Sequence, residues 1–181
     1  ALEKSTNTLT VKVWDPTDKG FQPRGKQVSN PRGIWYTPVS GIWQTVWLEF
    51  VPERHIQSAK YYPDPANGKV TVTGLVQGQG TLQLTALWED KPVGEAALSV
   101  EDGFFTAQLD LSETHLWEPG KGGLYTLLLT FGEDRVKSYF GLRTAKFQGR
   151  KFLLNGKSLF QRFVLDQGFY PDGIYTAPTE E

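Results

Sequence analysis

Between Val51 and about Lys146 the chain alternates short apolar runs with turn signals, and this punctuation constrains its fold more than any other feature. The runs are Ile56–Tyr62, Val70–Val76, Thr81–Trp88, Gly94–Val100, Phe104–Leu109, Leu124–Phe131 and Val136–Arg143. Between them lie Pro63-Asp64-Pro65 with Asn67-Gly68, Gly78 with Gly80, Glu89-Asp90, Asp102-Gly103, Gly120 to Gly123, and Glu133-Asp134. Gly, Pro, Asn and Asp break strands because they supply the positive φ, fixed φ or side-chain-to-backbone bonds that turns need. Strands recurring about every 8–12 residues predict an immunoglobulin-like β-sandwich. The apolar alternation assigns its core to Val70, Val72, Leu82, Leu84, Ala86, Leu98, Val100, Phe105, Ala107, Leu109, Tyr125, Leu127, Leu129, Val136, Phe140 and Leu142. With no cysteine in the chain, such a sandwich is of the disulfide-free kind.

The flanking segments read differently. Thr8–Trp14 has strand character, followed by an irregular stretch rich in Pro and Gly. Thr37–Glu49 alternates with no polar side: Ile42, Val46 and Leu48 fall on one face, Trp43 and Trp47 on the other. A strand of that kind needs cover on both faces. Two or three strands are too few for a jelly roll of about eight, so residues 1–51 read as the last part of a larger domain. Leu9, Val11 and Val13 already form a strand pattern with no lead-in, as expected inside a longer chain. Beyond Lys146, Phe152–Phe160 carries a hairpin signal, with Asn155-Gly156 suited to a type I′ turn. Arg162–Gln167 reads as a further strand and residues 168–181 as loop. No amphipathic helix of ten residues or more is recognisable.

Composition removes several function classes. The net charge is −1 with charges interspersed, so the basic stripe of a nucleic-acid binder is missing. No apolar run approaches the ~20 residues of a spanning helix, and no signal-peptide pattern opens the chain. No membrane partner is expected. Bacterial cytoplasm and periplasm are both compatible. His55 and His115 lack acidic or cysteine neighbours at metal-ligand spacing, and no phosphate loop, dinucleotide fingerprint or nucleophile elbow occurs. Neither a metal nor a cofactor is expected. The acidic pairs Glu89-Asp90, Glu101-Asp102 and Glu133-Asp134 read as solvated turn residues, and the chain offers no catalytic pair.

Three segments carry a family resemblance, in order. Gln22-Pro-Arg-Gly-Lys-Gln27 with Gly33-Ile-Trp-Tyr-Thr-Pro-Val-Ser-Gly-Ile-Trp-Gln-Thr-Val-Trp-Leu-Glu49 is the first. Leu116-Trp117-Glu-Pro with Leu124-Tyr125 and Tyr139-Phe-Gly-Leu-Arg143 is the second. Phe152-Leu-Leu-Asn-Gly-Lys-Ser-Leu-Phe-Gln-Arg162, running on to Pro178, is the third. Together they resemble glycoside hydrolase family 2, the family of β-galactosidases, β-glucuronidases and β-mannosidases.

The resemblance implies an all-β piece: an immunoglobulin-like sandwich flanked by incomplete jelly-roll and barrel segments. Residues 1–51 would end a sugar-binding jelly roll, 52–146 would form the sandwich, and 147–181 would begin a catalytic TIM barrel. The parent would hydrolyse terminal β-linked sugars with retention, using two glutamates that lie beyond Glu181. Carbohydrate is then the partner. Where many members carry Arg-Gly-Val-Asn-x-His, this chain has Arg162-Phe-Val-Leu-Asp166-Gln167. Asp166 and Gln167 are thus candidate substrate contacts in the parent, Gln167 standing where those members have histidine.

Arg24, with Lys26 and Arg32, could reach a sugar or the barrel rim, or could be ordinary loop charges. Trp35, Tyr36, Trp43 and Trp47 could stack on a pyranose, or could be covered in a core or between domains. Three roles stay open: a scaffold between sugar-binding and catalytic domains, a stand-alone carbohydrate-binding module, and a sandwich for protein contacts. Burial of Trp35, Trp43 and Trp47 would remove the module. Open strand edges at either end would favour docking, poor order or self-association.

Overall fold

The computed structural model describes residues 6–42, 45–165, 170, 177 and 179. Its residues divide into two units, 49–163 and 1–48 with 164–181. The first holds ten strands: β1 (His55–Asp64), β2 (Lys69–Gln77), β3 (Gly80–Trp88), β4 (Lys91–Val100), β5 (Gly103–Asp110), β6 (Leu124–Phe131), β7 (Asp134–Gly141), β8 (Ala145–Gln148), β9 (Lys151–Leu154) and β10 (Lys157–Ser158). β1–β7 are the seven strands read from the sequence, and the fold of this region is an all-β sandwich.

One sheet has the order β1-β2-β5 and the other β4-β3-β6-β7, every pairing antiparallel. In a constant-type immunoglobulin domain the fourth strand sits beside the fifth. Here β4 has changed sheets and pairs with β3. The inward alternation of both sheets makes one core, with Val70, Val72, Leu82, Ala86, Leu109, Tyr125, Leu127, Phe131 and Leu142 fully out of solvent.

Two residues assigned to the core, Leu98 and Val136, are only half-buried and pack against it. They lie on β4 and β7, the edge strands of their sheet, where one flank has no neighbour. Conversely Val93 is buried although Pro92 argues for a later strand start. Pro92 sits on the edge strand beside a register shift at Ala86/Leu87, where its missing N–H costs no ladder bond.

A second irregularity, between Ile56 and Ser58 in β1, explains Gly74. A Cβ there would lie 2.1 Å from the Ser58 carbonyl oxygen and 2.7 Å from the Phe105 ring. Only glycine lets β1 approach β2 this closely.

β8, β9 and β10 form a small separate sheet. Its β9–β10 turn carries Asn155 at φ 50° and Gly156 at φ 77°, the two positive φ angles a type I′ turn demands.

Residues 6–48 corrected two expectations. Among their described residues there is no strand, only an isolated parallel bridge between Gln27 and Tyr36. Thr8–Trp14 and the described part of Thr37–Glu49 have no ladder, with a bend at Gly41 (φ 117°), and Trp43 lies outside the described residues. The strand expected over Arg162–Gln167 is likewise not seen at Arg162–Leu165, while Asp166 and Gln167 are outside the described residues. The physical reason is that a strand exists by pairing. Alternation sets which face is apolar, but the ladder needs a partner strand.

Candidate functional site

The candidates Arg24 and Trp35 sit in neighbouring turns of the first segment. Gln27 N–H donates to the Arg24 carbonyl at 3.1 Å and Trp35 N–H to the Arg32 carbonyl at 2.9 Å, closing two turns. Tyr36 N–H to the Lys26 carbonyl (2.8 Å) and Val28 N–H to the Tyr36 carbonyl (3.2 Å) tie the turns side by side. Gln27 completes the tie, its Oε1 accepting from Val39 N–H at 2.7 Å.

The guanidinium of Arg24 donates to the Asp18 carbonyl at 3.3 Å. The Asp18 carboxylate accepts from the hydroxyl and the N–H of Ser29. Those bonds, the hydroxyl first, hold its pKa below the ordinary carboxylate value. The structure therefore brings Arg24, Lys26, Arg32 and Trp35 into one loop cluster. It leaves the indole of Trp35 36% exposed and that of Trp47 72% exposed. Asp166 and Gln167 cannot be added to this cluster, being outside the described residues. Among those described, no group of three or more His, Asp or Glu side chains could hold a metal ion.

A second constellation, within 49–163, joins the sandwich to the β8–β10 sheet. The loop before β6 runs beside the end of β7: Leu116 bridges to Leu142, and Trp117 N–H donates to the Leu142 carbonyl at 2.8 Å. This aligns the indole with Arg143, whose guanidinium lies 4.8 Å from the ring centre, a cation–π contact.

From the hairpin side, Asn155 Nδ2 donates to the Trp117 carbonyl at 2.9 Å. Its Oδ1 accepts from Thr144 N–H at 3.0 Å, and its own N–H donates to the Thr144 carbonyl at 2.9 Å. One side chain thus clamps three segments. Glu118 adds an ion pair with Lys121 at 2.6 Å and lies 3.9 Å from Lys157. The hydrogen bond from Lys121, and then its charge, lower the Glu118 pKa. Beside this joint, Tyr61, Pro63, Leu124, Tyr139 and Arg143 line a groove with Trp117.

A third cluster fixes the same loop from inside. Tyr125, at the start of β6, is fully buried. Its hydroxyl donates to the Glu113 carbonyl at 2.9 Å and accepts from His115 N–H at 2.7 Å. That is the tyrosine corner of immunoglobulin-like sandwiches. Its ring stacks on Phe140 at 5.0 Å, and Trp88 stacks on His115 at 4.0 Å. Burial foremost, with the nearby Glu113 charge, raises the Tyr125 pKa, the His115 N–H bond opposing.

Sequence reasoning reached Asn155 only as a turn residue and Trp117 only as part of a resemblance. Nothing local marks either as the other's partner.

The geometry now has relatives to stand beside. Residues 54–143, the sandwich from β1 to the residues just after β7, match Glycosyl hydrolases family 2. The chain belongs to that family. It is similar to a β-glucuronidase of Paenibacillus borealis, 30% identical over 106 residues that cover 50% of this chain and 18% of that protein. Among solved structures, the apo β-glucuronidase of Ruminococcus gnavus superposes with a TM-score of 0.53 at 20% identity, covering 70% of this chain and 22% of its own. A Ruminococcus gnavus β-glucuronidase in complex with uronic isofagomine gives 0.51 at 20% identity, over 61% of this chain and 18% of that one. At such identity these structures speak to the fold. The chain spans about a fifth of the relatives it matches.

Proposed function

We propose that this chain is the sandwich portion of a longer family 2 glycosidase. In that reading residues 1–51 contribute to a sugar-binding jelly roll and 147–181 begin a TIM barrel. The sandwich scaffolds one against the other and performs no chemistry itself. The whole protein hydrolyses terminal β-linked sugars, and β-glucuronides are the first substrates to try because the relatives named above are β-glucuronidases. Asp166, Gln167, Arg24 and Trp35 are the side chains of this chain that would meet substrate there.

One observation carries the scaffold reading. The family match coincides with a finished seven-stranded sandwich, while Asn155 fastens the following sheet to the loop at Trp117. A body closed on itself and clamped to the next segment is built to transmit position.

The test is an assay of 4-nitrophenyl β-glycosides with the 181-residue chain and with the product of its uninterrupted gene. Turnover by the longer product alone is expected. Hydrolysis by the 181-residue chain would sink the scaffold reading.

A stand-alone carbohydrate-binding module is the second reading, and the exposure of Trp47 and of part of Trp35 favours keeping it. Retention of the 181-residue chain on a β-glucan column, lost in Trp35→Ala and Trp47→Ala, is its signature.

A further inference from the structure

At the pole of the sandwich formed by the start of β1, the β2–β3 turn and the β4–β5 turn, Arg54 has no ionic partner among the described residues. Its side chain lies across three glycines. The place of a Gly78 Cβ is 2.6 Å from Arg54 Cγ, that of Gly80 is 3.4 Å from Nη1, and that of Gly132 is 3.4 Å from Nε. A Cβ at Gly78 would displace it, while Gly80 and Gly132 lie at van der Waals distance from its head.

The guanidinium makes one long bond, 3.5 Å to the Gln79 carbonyl, and no ion pair among the described residues. An exposed guanidinium with one long bond keeps most of its donors available to a ligand.

Around it opens a cleft of about 560 Å³, lined by Glu53, Gln57, Gln77, Gln79 and Asp102, a volume within the range of small-molecule sites. Gln57 Nε2 donates to Gln77 Oε1 at 3.3 Å, and Asp102 Oδ1 accepts from Gly78 N–H at 2.8 Å. These bonds tie together residues of two of the walls. Next to Gly103, on the outward face of the three-stranded sheet, Phe104 and its cross-strand neighbour Leu75 are 70% and 42% exposed.

We propose that this cleft binds a neutral saccharide. Primary amides, carboxylates and a guanidinium supply both donors and acceptors for vicinal hydroxyls, each of which needs both. Phe104 follows the lining residue Gly103 in the chain, and its exposed ring suits the apolar face of a pyranose. Two carboxylates against one guanidinium disfavour an anionic ligand. This goes beyond the scaffold reading and is independent of it, since the residues all belong to the sandwich.

The test is ¹⁵N-edited NMR of the 181-residue chain with cellobiose, lactose, xylobiose and mannobiose, each at about 20 mM, with D-glucuronate as the anionic comparison. At least one disaccharide is expected to shift the side-chain amides of Gln57, Gln77 and Gln79 and the Nε–H of Arg54, with a Kd on the order of 1 mM. Gln79→Ala, an exposed turn substitution, is expected to weaken that binding about tenfold at an unchanged melting temperature, and Arg54→Lys to do the same. No shift with any of the disaccharides, shifts confined to Trp35 or Tyr139, a response to glucuronate alone, or full binding by Gln79→Ala would overturn the proposal.

Discussion

Residues 55–142 and residues 6–48 share strand-like alternation, yet only the first became strands. In the sandwich six of the seven runs pair with the next one in sequence, β1 with β2, β3 with β4, β6 with β7, and β5 reaches back to β2. Thr8–Trp14 and Thr37–Glu49 have equally apolar patterns and no ladder among their described residues. Hydrophobic pattern chooses a face, and pairing makes the strand. The two regions therefore differ in kind, one closed on itself and the other leaving apolar side chains such as Leu9, Trp14 and Trp47 exposed.

The sharpest way to break that contrast is a cavity in each region. Leu84→Ala, at the centre of β3, is expected to cost about 2–5 kcal/mol. For a sandwich of this size each kcal/mol is worth roughly 4–8 °C in melting temperature. A loss below 1 °C by calorimetry would mean the core is not the source of stability.

Next in size is Tyr125→Phe. It removes the bonds to Glu113 and His115 and leaves a carbonyl and an N–H without that partner, an expected loss of about 1–3 kcal/mol. It should also change the alkaline limb. Because the folded pKa of Tyr125 is raised, its neutral form is favoured in the fold. That contribution is complete below the unfolded value near 10 and is lost as pH climbs through the higher folded value. Alkaline melting curves of wild type should fall more steeply than those of Tyr125→Phe above about pH 10, and parallel curves would refute the burial account.

Asn155→Ala tests the joint between sandwich and hairpin. It deletes two side-chain bonds and puts alanine at φ 50°, which together should cost about 1–2 kcal/mol. The indole signal of Trp117 should shift in the same variant while that of Trp88 stays. The smallest effect belongs to Trp47→Ala. At 72% exposure it should change the melting temperature by no more than a surface substitution does, within about 0.5 kcal/mol.

The sandwich was legible because Gly, Pro, Asn and Asp mark nearly every turn and the alternation between them is clean. Its errors are local and physical. Pro92 hid the first residues of β4, since an edge strand tolerates what a central one cannot. Leu98 and Val136 have core-like positions on edge strands, where alternation does not say how deep a residue lies.

The sites were harder to read. Arg54 draws its glycines from the β2–β3 and β6–β7 turns, and Asn155 finds the Trp117 carbonyl 38 positions back. No local pattern encodes such meetings. Of the candidate substrate contacts, Arg24 and Trp35 fall in one loop cluster, and Asp166 and Gln167 lie outside the described residues.

Native-state amide exchange on the 181-residue chain tests the contrast most directly, because it reads local stability residue by residue. Amides of β2, β3, β5 and β6 are expected to exchange only through global opening, and those of residues 6–42 within roughly tenfold of unstructured-peptide rates apart from the hydrogen-bonded amides of the loop cluster, Gln27, Val28, Ser29, Trp35, Tyr36 and Val39. Uniform protection across residues 6–42, matching that of β3, would contradict the account.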